Sequence, residues 1–218
     1  MQEKNDRIKE IYYELLDFYG PQGWWPGETR LEVIVGAILT QNVSWKNVEK
    51  SIINLKKEGL LNINSLLNIE DEKLYTLIKS SGYFRQKAKR LKDFLRFIND
   101  NYGRIEEMIN DRNIREKILN VKGIGKETAD SILLYALDLP FFVVDTYTLR
   151  IFKRMGLIED INLKSYEEIR IMVENSLDRN VKDLKEFHAL LVEHGKKYCK
   201  KEPLCDKCPI NKKCRKNI

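Results

Sequence analysis

The sequence predicts an all-α protein, and three observations predict it. Apolar residues recur at helical spacing almost throughout, with no convincing stretch of strand alternation. Connections are short and repeatedly marked by glycine, as packed helices require. Charged residues make up 33% and hydrophobic residues 43% of the 218, a balance suited to a soluble chain long enough to bury a core.

Each element follows from its own pattern. Ile8, Ile11, Tyr12, Leu15 and Leu16 mark one face of a first helix, which Gly20-Pro21 stops. Residues Leu31–Gln41 are apolar nearly all round and read as a buried central helix. Ser44 is placed to cap the next helix, with Val48, Ile52 and Leu55 on its face and Gly59 at its end. Short helices are expected around Ser65–Leu67 and Asp71–Ser80, then a longer basic one from Arg85 to Asn101. Two short segments lead to a helical hairpin at Gly123–Gly125. Helices then open at Asp145, cover Ser165–Leu177 and run from Val181 to Tyr198. The loop Tyr19–Glu28 stands apart, rigid with Gly and Pro yet holding two of the three tryptophans.

Several classes are set aside. Apolar runs such as Val33–Leu39 are too short to span a bilayer, and the mixed-charge N-terminus lacks the apolar core of a secretory signal. The expected location is therefore the cytoplasm, with no membrane partner. The net charge of +6 is concentrated: from Lys196 to Ile218 there are nine Lys or Arg and two acids. Such a block either meets a polyanion or forms a solvated tail, and charge alone does not decide. All four cysteines lie in it. In a reducing compartment that clustering points to metal rather than disulfides.

Three constellations bear chemistry. Val121-Lys122-Gly123-Ile124-Gly125-Lys126-Glu127-Thr128-Ala129-Asp130 has the pattern of a helix–hairpin–helix. Its glycines allow positive φ and close approach to a phosphate, which the amides of the following helix can bind. A bare Gly-x-Gly is more often an ordinary turn. In Val143-Val144-Asp145-Thr146, Asp145 follows an apolar run and precedes a helix. Spacing favours a plain N-cap. The other role is a carboxylate that stabilises an oxocarbenium-like sugar and orients water towards C1′, and the two are compatible. Cys199-x5-Cys205-x2-Cys208-x5-Cys214 offers four thiolates within sixteen residues. With one Cys-x2-Cys pair and irregular spacing around Pro203 and Pro209, it favours a [4Fe–4S] cluster, with zinc as the alternative.

Taken together and in this order, the segments resemble the endonuclease III family of helix–hairpin–helix DNA glycosylases. Leu39-Thr40-Gln41-Asn42 is similar to the family's wedge-bearing helix end, and Gly82-Tyr83-Phe84-Arg85-Gln86-Lys87-Ala88 to its Gly-x4-Lys-Ala turn. His194-Gly195 precedes the first cysteine as in family members. The resemblance implies a two-domain helix–hairpin–helix DNA glycosylase fold: a six-helix barrel at 29–139, and a second domain from 1–28 and 140–218 with a cluster loop at 199–214. It implies a monomer acting on double-stranded DNA with a flipped damaged base, which lies across the cleft between the domains. Asp145 would be catalytic, and Gln41, Asn42, Lys87, Gly123, Gly125, Lys126 and Thr128 would contact DNA.

Two departures refine this. Bifunctional members carry a Schiff-base lysine two residues after the second hairpin glycine, where this chain has Glu127; a carboxylate forms no imine, so a monofunctional, water-using glycosylase is expected. Gly23-Trp24-Trp25-Pro26-Gly27 resembles the 3-methyladenine glycosylase branch, and a cationic alkylpurine suits stacking on indole faces. Trp24, Trp25 and Trp45 are the candidate platforms, with Glu127 beside the pocket. The runner-up substrate is a mismatched or oxidised base, and a non-catalytic DNA-binding module is the reading from another class.

Overall fold

A computed structural model describes residues 2–24, 27–159 and 165–216. Its elements are all helical among the described residues, in the order α1 (Gln2–Tyr19), α2 (Arg30–Leu39), α3 (Trp45–Lys57), α4 (Ile63–Asn68), α5 (Asp71–Ile78), α6 (Phe84–Asn101), α7 (Ile114–Leu119), α8 (Lys126–Ser131), α9 (Thr146–Met155), α10 (Ser165–Ser176) and α11 (Val181–Lys197). Short 3₁₀ turns occupy Lys79–Ser81, Ile105–Asn110, Cys205–Lys207 and Asn211–Lys213. The chain divides into two compact units, one from Met1–Trp24 with Pro140–Ile218 and the other Trp25–Leu139. No helix of the described residues is long and apolar enough to cross a membrane.

The Trp25–Leu139 unit carries α2 to α8. Its axis is α2, buried from Leu31 to Leu39 and capped by Thr29, whose hydroxyl accepts from the Glu32 amide at 3.1 Å. Against it packs a feature that periodicity did not foretell: α8 runs on into a buried π-helical turn, Ile132–Ala136. Arg30 donates to the Ala136 carbonyl and to Asp138 Oδ2, the latter at 3.0 Å, so the wider turn ends on a side-chain cap. Ser44 stands at the N-cap of α3 as expected, but its side chain makes no capping bond. The helix relies instead on its buried face of Val48, Ile52 and Leu55.

The other unit is built from α1, α9, α10 and α11. Ile8, Ile11, Tyr12 and Leu15 of α1 are at most 3% exposed and form the buried stripe that the 3.6-residue period required. Phe142, Phe152 and Phe187 are wholly buried, each contributing roughly 1.5–3 kcal/mol of transfer energy. The extended segment leading to α9 is pinned by a buried acid. Glu174 accepts from the Phe142 amide at 3.0 Å and pairs with Arg170 at 2.6 Å and Arg179 at 3.0 Å. Desolvation raises the Glu174 pKa above its ordinary value, against the pull of those partners.

Candidate active site and nucleic-acid interface

In the Trp25–Leu139 unit the hairpin joins α7 to α8. Arg115 grips Asp130 in a fork, Nε to Oδ1 at 2.6 Å and a second nitrogen to Oδ2 at 3.0 Å, which sets the two helices. Gly123 adopts φ +87°, whereas Gly125 is extended at φ −92° and serves as the N-cap of α8. Only the first glycine therefore uses the left-handed freedom expected of both. The first internal bond of α8 is donated by Ala129, so the hairpin presents the opening turn of a helix, a geometry suited to anions. Gly123, Gly125 and Glu127 are exposed and Lys126 is half-buried.

Two residues expected to contact DNA have buried side chains. Lys87 is 1% exposed, and its ammonium donates inward to the Leu39 carbonyl at 2.8 Å and to the Ser81 carbonyl. It ties the end of α2 to the turn before α6 and presents no charge to a phosphate; burial lowers its pKa to about 8. Thr128 is buried too, its hydroxyl accepting from Gln41 Nε2 at 3.0 Å. Gln41 also donates to the Gly123 carbonyl at 3.1 Å and accepts from Arg90. Gln41, in the segment similar to the family's wedge-bearing helix end, is thus folded onto the hairpin. Its neighbour Asn42 is exposed, with φ 56°. Arg90, one turn beyond Lys87 on the basic helix, has no motif of its own to mark it in the sequence. Its side chain lies against Gly123, where an added Cβ would meet Arg90 Nε at 2.7 Å.

In the other unit Asp145 is the N-cap of α9, as spacing favoured. Its Oδ1 accepts from the Thr148 amide at 2.7 Å and the Thr148 hydroxyl at 2.9 Å, which fixes the carboxylate's orientation. Its side chain retains 11% of its accessible surface. Oδ2 lies 3.8 Å from Nε2 of His188, a residue the sequence reading did not single out. Burial, with Lys196 adding to it, lowers the His188 pKa, opposed by the Asp145 carboxylate. The available signal was that both histidines of the chain fall on α11, His188 within an apolar run.

The half-buried Trp24 lies with its ring centroid 5.5 Å from His188, and Lys196 Nζ stands 5.9 Å from the indole. Glu186 receives the amides of Gln22 and Gly23, holding this loop to α11. Trp24 thus neighbours the surroundings of Asp145 within one unit. Trp25 lies outside the described residues. Trp45 is the half-buried first residue of α3, in the Trp25–Leu139 unit.

None of the four cysteines is in a disulfide; all are half-buried and line one pocket with Ile151, Met155 and His194. Burial first, then the other three thiols, raises the Cys208 pKa to about 11. Crowded thiolates are costly unless a cation neutralises them, which is the chemistry of a metal centre. Among the described residues no three His, Cys, Asp or Glu side chains converge closely enough for a single ion. The loop's path is set by arginines of α9. Arg150 donates to the Cys199 carbonyl at 2.7 Å, and Arg154 to the Lys201 carbonyl at 2.9 Å.

A hairpin framed by packed helices and a carboxylate at a helix entrance define a class of protein, and comparison with known sequences agrees. Residues 35–178 match the HhH-GPD superfamily base excision DNA repair proteins, and the chain belongs to that family. It is 52% identical over 217 residues, 98% of each chain, to a protein of Methanocaldococcus jannaschii described as a DNA repair glycosylase. Among solved structures it is similar to the H. pylori 3-methyladenine DNA glycosylase MagIII bound to 1,N6-ethenoadenine. That match has 32% identity and a TM-score of 0.74, covering 89% of this chain and 96% of the other. An endonuclease III–DNA complex shares the fold with a TM-score of 0.77 at 22% identity, covering 97% and 95%. The family resemblance and the all-helical fold expected from the motifs are those found.

Proposed function

We propose that this chain is a monofunctional DNA glycosylase that hydrolyses the N-glycosidic bond of alkylated purines such as 3-methyladenine. The observation that carries the reading is Asp145. Two donors from Thr148 hold its Oδ1 at the start of α9, so the carboxylate is oriented before any substrate arrives. A fixed anion in a mostly buried setting stabilises positive charge developing on deoxyribose and orients water towards C1′. An N3- or N7-methylated purine is already cationic and leaves without a strong general acid. Trp24, in the same unit as Asp145, supplies an aromatic face for such a base, with a cation–π contribution of about 0.5–2 kcal/mol. The likeness to an H. pylori 3-methyladenine glycosylase supports the same substrate class.

Glu127 supports the monofunctional part, because an exposed carboxylate stands where an imine-forming lysine is needed. The hairpin, with Lys126 and the exposed Asn42, would position DNA through its backbone. The four cysteines would hold a [4Fe–4S] cluster; their shared pocket suits a cubane, which spreads its ligand sulfurs wider than one ion does. When bound, the cluster would supply a rigid anchor for the basic loop at residues 199–214.

The test is release of free base from duplexes bearing 3-methyladenine, 7-methylguanine, 8-oxoguanine or a T·G mismatch, with borohydride present in parallel reactions. Release confined to the methylated purines, with no trapped covalent adduct, is expected. Release confined to the oxidised or mismatched duplex overturns the substrate assignment. A trapped adduct overturns the monofunctional mechanism.

A further inference from the structure

His194 joins a motif, His-Gly before the first cysteine, to no role in base excision, yet it is one of the most enclosed polar side chains of its unit at 1% exposure. It lines the cysteine pocket, with Nε2 3.6 Å from Cys208 Sγ, a normal range for a hydrogen bond to sulfur. On its other side Nδ1 lies 3.1 Å from the Tyr19 hydroxyl at the end of α1. Tyr198 stacks on the ring at 5.8 Å and 24°, which fixes the imidazole plane.

We propose that His194 is a positioning residue of the metal centre: its Nε2–H donates to the Cys208 sulfur, and the Tyr19 hydroxyl, donating to Nδ1, locks that tautomer. The inference rests on the reading of the four cysteines as cluster ligands. The direction of each bond follows from proton bookkeeping. A metal-bound thiolate carries no hydrogen and can only accept, so Nε2 must donate. A neutral imidazole protonated at Nε2 has a lone pair at Nδ1, so the phenol must donate to it. Two other sulfurs already face fixed donors of this chain. An Arg154 guanidinium nitrogen lies 3.4 Å from Cys199 Sγ, and the Lys216 amide 3.4 Å from Cys214 Sγ. Cys208 also accepts from the Ile210 amide, but its side-chain donor, His194, has two tautomers and needs Tyr19 to choose between them. Outer partners of this kind orient ligands and tune a cluster, and hydrogen bonds to sulfur favour the reduced state.

The test uses the intact, anaerobically purified holoprotein and its Tyr19→Phe, His194→Gln and His194→Leu variants. Two quantities are read: the rate of iron loss to a ferrous chelator, and the midpoint potential of the bound cluster. His194→Leu is expected to lose iron about tenfold or more faster and to have a lower potential. His194→Gln, whose amide can donate to sulfur, should recover part of both. Tyr19→Phe, which keeps every ring and removes one hydroxyl, should shift both in the same direction by less. If His194→Leu does not fold, Tyr19→Phe decides. Wild-type rate and potential in Tyr19→Phe, or equal values for the Gln and Leu variants, would overturn the proposal. Iron and sulfide analysis of the wild type separates the two levels. Wild-type protein that holds no iron overturns the cluster reading itself, whereas iron with unmoved variants overturns the His194 role alone.

Discussion

At the scale of single residues, Asp145 has two duties that one substitution can separate. An asparagine caps a helix about as well as an aspartate, so Asp145→Asn should leave stability within about 1 kcal/mol of wild type. It removes the charge, however, and losing one preorganised electrostatic group typically costs about 10²–10³ in rate. Single-turnover release of free base is the measurement; a wild-type rate would take the carboxylate out of the mechanism. Lys87 offers a titration. Burial, with Arg90 adding repulsion, lowers its folded value from 10.5 to about 8. Between those values the unfolded chain binds the proton and the folded chain does not, so the Lys87 contribution to stability rises with pH across that window. Urea denaturation should therefore show wild type gaining on Lys87→Met from pH 8 towards 10.5. A constant difference between the two proteins would mean that the ammonium is not desolvated.

Elements are set by how their ends are tied. The hairpin's two glycines look equivalent in sequence but differ in the fold. At Gly123, φ is +87° and a Cβ would strike Arg90; at Gly125 the backbone is extended and nothing lies within 4 Å. Gly123→Ala should cost about 1–2 kcal/mol from the left-handed conformation alone, displace Arg90 and weaken DNA binding. Gly125→Ala should be clearly milder in thermal unfolding. If it nonetheless lowers DNA affinity, the loss reports close approach of a phosphate to that backbone. Helix α9 is tied at both ends. Asp145 closes its N-terminus, while Arg150 and Arg154 from its later turns hold the carbonyls of Cys199 and Lys201. One helix thus links the candidate catalytic group to the cysteine loop within a single unit.

Over the whole molecule, the charge is uneven, and its basic surplus gathers in the last 23 residues. Lys200 and Lys207 are exposed on the loop that the cysteines enclose. If that loop faces phosphate, Lys200→Ala or Lys207→Ala should each flatten the dependence of log K on log salt by about 0.9, with little change in base selectivity. Titrations of duplex DNA at several salt concentrations test this, and an unchanged slope would place the loop away from DNA.

Helix order and most boundaries were legible because amphipathic periodicity and caps are local: the stripe of α1, the apolar run of α2 and Asp145 before α9 are each written in a few consecutive residues. The family was legible because three motifs stand in a specific order. What tertiary structure decided was the partnering of polar groups by distant chain. Lys87 turns inward because the Leu39 carbonyl, 48 residues away, needs a donor, and Gln41 is claimed by Gly123 and Thr128 more than 80 residues on. His188 gains meaning, and His194 its partner, only where α11 brings them against Asp145 and Cys208. A side chain's type and spacing say what it can bond to; only the folded chain, by excluding water from that side chain, decides which partner it must take.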